Sequence, residues 1–380
     1  MTKSHTPIPF IDLKAQQRVI RPQVDRAIQK VLDHGRYGFG PECTEFEQDL
    51  SNFTGVKHVL ACSNGTDALT MLLIDLDIGP GDAVFVPAFT YIATAEVVAL
   101  RGATPVFVDV DVDTFNMDAA DLKKAIKAAQ EKELKLAGII SVDLFGQPAD
   151  HDAIAAVAKC HNMWVISDAA QSCGALYKGK STLCFGLAAT TSFFPAKPLG
   201  AYGDGGAIFV HDDKLKRRLE NIRVHGHGVN PASVESLGLT GRLDTIQAAI
   251  LLEKLKIFPT EIESRQKSAD IYNNAFEKVV HVPRIAEQRT SVWAQYTMRV
   301  KHAKHRDALQ DHLTSLGIPT AVYYKCPLHV QRVYRHGLLD RHLKNTDQLS
   351  DTVISLPIHG YLRESVQNQI IDGVLGFFKK

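Results

Sequence analysis

No stretch of this 380-residue chain approaches the roughly 18 uninterrupted apolar residues that a membrane span requires. The N-terminus, MTKSHTPIPFIDL, lacks an apolar run ahead of a small-residue cleavage site and so does not read as a secretory leader. Cysteine is sparse and unpatterned. Cys43, Cys62, Cys160, Cys173, Cys184 and Cys326 form no C-x-x-C pair, which argues against both a zinc module and a disulfide framework. An excess of charge is missing too: 43 Lys and Arg against 42 Asp and Glu leave +1. That balance disfavours a nucleic-acid-coating protein and a polybasic membrane binder. With 45% hydrophobic and 22% charged residues the composition is that of a globular chain rather than a disordered one. A soluble, cytoplasmic protein is expected, with neither nucleic acid nor membrane as partner, and no internal repeat interrupts it.

What the sequence does have is an alternation. Short apolar runs, HVLACS (58–63), AVFVP (83–87), PVFVDV (105–110), AGIISVDLF (137–145), MWVISD (163–168), ATTSFF (189–194) and GAIFV (206–210), are separated by helix-length amphipathic segments. This predicts an α/β fold with a mostly parallel sheet and crossover helices. Asn64 is expected to open a helix through ALTMLLIDL, and Asp150 one through HDAIAAVAKC. After Val210 the alternation stops, and RLDTIQAAILLEKLKIF (242–258) predicts one long helix along which the domain boundary is placed. Residues 1–250 then form a large α/β/α domain. Residues 251–380 form a smaller α+β domain with strand-like YTMRV (296–300), helix-like HRDALQDHLTSLG (305–317) and strand-like TAVYY (320–324).

In such a sheet, ligands bind beyond the carboxyl ends of the strands. Asp168 ends one strand, and Lys197 follows the next, between Pro195 and Pro198 and close to Gly200, Gly203, Gly205 and Gly206. A loop lysine is ordinarily a solvated charge. The functional alternative is a Schiff-base lysine, whose amine must be partly desolvated and lie near a carboxylate that keeps a pyridinium nitrogen protonated. Asp168 can supply that carboxylate, or can be a simple helix cap. Ser63-Asn64-Gly65-Thr66-Asp67 offers a phosphate backbone donors and hydroxyls at a helix start, although such residues cap many helices. Ser192 can add a second hydroxyl. In PAFTYIATAE, Phe89 reads as core, and Tyr91 as either core or a face for a cofactor ring. The glycines after Lys197 do not complete G-x-G-x-x-G, since Ile208 stands where the last glycine belongs and a strand follows. Nicotinamide binding is therefore not expected; turn geometry and close backbone approach explain these glycines equally well. His225 and His227 have no third ligand at a zinc-like spacing, and no metal site is predicted.

Taken in order, SNGTDAL, PAFTYIATAE, DLFGQPAD, VISDAAQSCGA, TSFFPAKPLGAYGDGGA and GRLDTIQAAIL resemble the DegT/DnrJ/StrS family of nucleotide-sugar aminotransferases. The resemblance runs from PFIDLKAQ to SLPIHGYL, nearly the whole chain. SFFPAKPLGAYGDGGAIF and RLDTIQAAILLEKLKIF are similar to the members that transaminate UDP-2-acetamido-2-deoxy-3-oxo-glucuronate. The resemblance implies a fold type I enzyme with pyridoxal 5'-phosphate as cofactor, L-glutamate as amino donor and a nucleotide-linked 3-oxo sugar as acceptor. It also implies a place in surface polysaccharide or lipopolysaccharide synthesis, including O-antigen, and a homodimer whose partner subunit completes each site. Lys197 would be the Schiff-base lysine and proton shuttle, Asp168 the partner of the pyridinium nitrogen, and Gln171 a neighbour of the ring's phenolic oxygen. Tyr91 would stack on the ring, and Gly65, Thr66 and Ser192 would hold the phosphate. Thr240 stands where many relatives have Asn, and its shorter reach makes Arg242 the expected anion contact of that loop. Tyr323, Tyr324 and His329 would contact the sugar nucleotide, and Lys325 or Arg242 would meet a sugar carboxylate. Relatives of the dehydratase branch have histidine at the position of Lys197, so this lysine favours aminotransfer over deoxygenation. A lyase or another aminotransferase on the same scaffold, and a non-catalytic sensor of cofactor or sugar nucleotide, are the alternatives.

Overall fold

The computed structural model describes residues 7–228, 233–334 and 341–379. Two helices, α1 (Leu13–His34) and α2 (Pro41–Thr54), precede the first strand, β1 (His58–Cys62). There follow α3 (Gly65–Asp75), β2 (Asp82–Pro87), α4 (Ala93–Leu100), β3 (Thr104–Val108), α5 (Ala119–Glu131), β4 (Lys135–Val142), α6 (His151–Cys160) and β5 (Trp164–Asp168). A small hairpin of β6 (Leu176–Tyr177) and β7 (Lys180–Ser181) leads to β8 (Ala188–Ser192), β9 (Gly206–Val210) and α7 (Asp213–Ile222). The remainder comprises α8 (Thr245–Phe276), β10 (Tyr296–Arg299), α9 (Ala303–Ser315), α10 (Lys344–Thr352), β11 (Val353–Leu356) and α11 (Glu364–Phe378). Among the described residues no helix is long and apolar enough to cross a membrane.

The main sheet has the order β1-β9-β8-β5-β4-β2-β3. β9 runs antiparallel to both its neighbours, and the other pairs are parallel. Each strand is apolar on both sides because both faces are covered. Leu60, Val84, Val86, Ile140, Ile166 and Ile208 point to one face, beneath Leu69 and Leu72 of α3, Val97 of α4 and Leu219 of α7. The alternate residues Val59, Ala61 and Phe209 meet Phe46 and Leu50 of α2 and Leu251 of α8 on the other. On that same side Phe85, Val106 and Ile139 meet Leu122 of α5 and Ile154 of α6.

The expected caps are in place: Asn64 Oδ1 accepts from the Asp67 amide at 2.7 Å, and Asp150 Oδ1 from that of Ala153 at 3.1 Å. The long helix extends well past residue 258. Its first half joins the core under the main sheet, while Ala269, Tyr272 and Phe276 enter a second core with β10, β11, α9 and α11. One local expectation is corrected. Of TAVYY only Ala321 pairs in a ladder, with Ser355, and Tyr323 and Tyr324 form a turn. Their side chains leave the sheet to join the aromatic cluster around Phe89, so packing overrides their strand propensity.

Candidate active site

The carboxyl ends of β1, β2, β4, β5 and β8 open on one edge of the sheet, where the β9 start also lies because that strand is reversed. Asp168, at the end of β5, is 6% exposed. Its carboxylate accepts from the Thr94 hydroxyl at 2.8 Å and from the Ala170 amide at 3.2 Å. Burial pushes its carboxyl above the ordinary value, opposed by those two donors and by the Lys197 charge. Lys197 lies in the loop from β8 to β9, its amide bonded to the Phe194 carbonyl at 2.8 Å. Burial pushes its amine below the ordinary lysine value, and Asp168 is the charge that pushes back. The Lys197 residue keeps some exposed surface, while its amine is withdrawn from water.

An anion cradle stands beside them. α3 starts at Gly65 with its N-terminal amides facing the β8 end, and a Cβ at Gly65 would meet Ser192 Cβ at 3.0 Å. Gly65, Thr66 and Ser192 are thus brought together. Gly206 is the wall behind them: a Cβ there would strike Asn64 C at 2.5 Å and Gly65 N at 2.8 Å. Its φ is not positive, so close approach and not turn geometry requires this glycine. Arg242 pairs in a bridge with Cys62, and the Ser63 amide donates to Gly241 O at 3.2 Å, which sets the arginine beside the same strand end. Thr240 lies just upstream on an exposed stretch, its hydroxyl 2.8 Å from His225 Nε2.

Gln171 is buried, its Oε1 accepting from the Phe145 amide at 2.7 Å and its Nε2 donating to the Tyr324 hydroxyl at 3.3 Å. Tyr324 lies edge-on to Phe89 with ring centroids 5.9 Å apart, and burial pushes its phenol up. Phe89 is core, as read from the sequence, whereas Tyr91 is 58% exposed. Tyr323 sits between Tyr324 and Phe10. The His329 Nε2 pairs with Asp347 of α10 at 3.2 Å. Sequence reasoning missed Thr94. It stands inside PAFTYIATAE, but only the aromatic residues of that motif drew attention.

The donor set suits a pyridine ring carrying an aldehyde and a phosphate. A buried carboxylate can meet a ring nitrogen, a depressed amine a carbonyl carbon, and helix-start amides with a hydroxyl a phosphate. Comparisons with known proteins agree. The model described as the DegT/DnrJ/EryC1/StrS aminotransferase family matches residues 19–375. The chain is similar to UDP-2-acetamido-2-deoxy-3-oxo-D-glucuronate aminotransferase of Pseudomonas aeruginosa, 47% identical across 93% of this chain and 96% of that protein. It is similar in structure to a DegT DnrJ EryC1 StrS aminotransferase from Brucella abortus, with a TM-score of 0.95 and 47% identity, covering 98% of this chain and 100% of the other. NtdA from Bacillus subtilis, solved with bound cofactor PMP, has a TM-score of 0.90 at 26% identity, covering 100% of this chain and 87% of the other.

Proposed function

This chain belongs to the DegT/DnrJ/EryC1/StrS aminotransferase family, and on that premise we propose that it moves an amino group from L-glutamate to the keto carbon of a nucleotide-linked 3-oxo sugar. It is an aminotransferase that works with pyridoxal phosphate. The acceptor is UDP-2-acetamido-2-deoxy-3-oxo-glucuronate or a near analogue, the substrate named for the Pseudomonas aeruginosa relative. The product serves cytoplasmic synthesis of surface polysaccharide. The single observation that carries the reading is the Lys197–Asp168 pair, a desolvated amine facing a buried carboxylate at the strand ends.

When bound, pyridoxal phosphate supplies an aldehyde that condenses with amines and a ring that accepts electron density from the adjacent carbon. The chain's own residues do the rest. Lys197, with its depressed proton affinity, offers a neutral amine as nucleophile and, once released, carries the proton to and from the donor's α-carbon. Asp168, held by Thr94 and the Ala170 amide, keeps a ring nitrogen protonated. Gly65, Thr66 and Ser192 hold the phosphate, with Arg242 as a nearby cation for phosphate or sugar carboxylate. Gln171, hydrogen-bonded to Tyr324, would lie near the ring's phenolic oxygen, Tyr91 would stack on the ring, and Tyr323 and Tyr324 would contact the sugar nucleotide. A homodimer in which a second copy completes each site is part of this reading, as the family resemblance implies.

The test is the visible absorption spectrum of the purified protein before and after L-glutamate, followed by the ketosugar. A band that L-glutamate shifts, that the ketosugar restores and that Lys197→Ala abolishes supports the assignment. A protein that stays colourless after incubation with pyridoxal phosphate overturns it.

A further inference from the structure

We propose that Lys254, a residue of α8 outside the cleft, is a positioning residue for Lys197 and acts by holding the carbonyl of Gly200 in the loop that carries it. The inference rests on Lys197 being the cofactor-bearing lysine. Lys254 is 1% exposed, and its Nζ donates to Gly200 O at 2.5 Å while lying 4.4 Å from the centre of the Tyr202 ring. Gln247, two turns earlier on the same face of α8, accepts from the Tyr202 amide at 2.9 Å and packs on Gly203. The loop is also tied to itself, Phe193 N to Gly205 O and Ala201 N to Phe193 O, each at 2.7 Å. Gly200 leaves no room for a side chain, since a Cβ would meet Pro195 O at 2.5 Å. Two α8 side chains therefore pin the stretch just after Lys197, and its backbone is fixed while its side chain stays free to change partners.

A buried ammonium is a costly way to fill this space, and a methionine of similar length would pack there more cheaply. Burial pushes Lys254 down to about 8, with Glu261 of α8 opposing. Glu261 is itself engaged by Gln16 of α1 at 2.8 Å and by the Tyr361 hydroxyl, and lies near Arg265. The charge facing Lys197 is Asp168. The low proton affinity of Lys197 comes from exclusion of water, so a loosened loop should admit water and raise that affinity toward an ordinary lysine.

The experiment is competitive acetylation of the cofactor-free chain with acetic anhydride across pH, read at Lys197 by mass spectrometry. Lys254→Met and Gln247→Leu are compared with Tyr272→Phe, which removes a buried hydrogen bond of α8 to Pro357 far from the loop. The pH of half-reactivity should rise in Lys254→Met, rise less in Gln247→Leu, and stay put in Tyr272→Phe. In the loaded enzyme kcat should fall about tenfold to a hundredfold with KM changed less. An unchanged half-reactivity in Lys254→Met, with a melting temperature lowered as in Tyr272→Phe, overturns the proposal. If Lys254→Met fails to fold, Gln247→Leu decides in the same way. Full turnover by Lys197→Ala would instead remove the functional reading and leave the labelling result standing.

Discussion

At the residue scale the informative side chain is Thr94, whose hydroxyl both orients Asp168 and favours its charged form. Thr94→Val keeps the shape and removes the donor. A hydrogen bond to a charged group contributes about 1.5–3 kcal/mol, so cofactor affinity should weaken about tenfold or more in an absorbance titration. An unchanged affinity would mean that the Ala170 amide and Lys197 suffice to hold Asp168. Lys197 and Asp168 could be read from the sequence because each follows a recognisable strand, and strand ends gather ligands. Thr94 could not, because its partner lies 74 residues away across the sheet edge, a juxtaposition that no local spacing encodes. His329, which the resemblance assigns to the sugar nucleotide, has its Nε2 3.2 Å from Asp347 of α10, an element not read from the sequence.

At the scale of elements, the junction of β9 with the α3 start governs the anion cradle. Gly206→Ala would drive a methyl into the Asn64 backbone, and overpacking of this kind costs about 1–3 kcal/mol. The urea midpoint and the cofactor affinity should fall together. A midpoint that falls with affinity intact would show the cradle to be indifferent to β9. Asn64→Ala removes the cap instead, at about 1 kcal/mol, and should lower the thermal midpoint. The strands were legible because both sheet faces are buried and the runs are apolar throughout. TAVYY was misread because β-branched and aromatic residues suit a strand and an aromatic cluster alike.

For the whole molecule, buried basic groups contribute to the pH dependence of the cofactor-free chain. Burial, with the Arg265 charge, lowers His359 from 6.5 to about 4, so between these values the unfolded chain binds a proton that the folded chain does not. Stability from this group therefore rises with pH across that window. Lys254, lowered from 10.5 to about 8, adds a second rise above pH 8. Asp168 has the opposite sign, since a raised carboxyl loses stability as pH climbs through its folded value. Thermal melts of the chain and of His359→Asn from pH 4 to 7 should diverge in favour of the chain as pH increases. Parallel curves would remove His359 from the account.

Among the described residues the edge strand β1 has one strand partner, β9, the last strand of the main sheet in chain order, with an isolated bridge from Cys62 to Arg242 beside it. During synthesis, residues 58–66 leave the ribosome long before residues 206–210, so the first strand and the amides beside it wait without a sheet partner. A nascent chain that ends before Gly206 has the residues proposed to hold the phosphate but not the strand that backs them. On that reading a chain truncated before Gly206 should not bind the cofactor, however much is supplied.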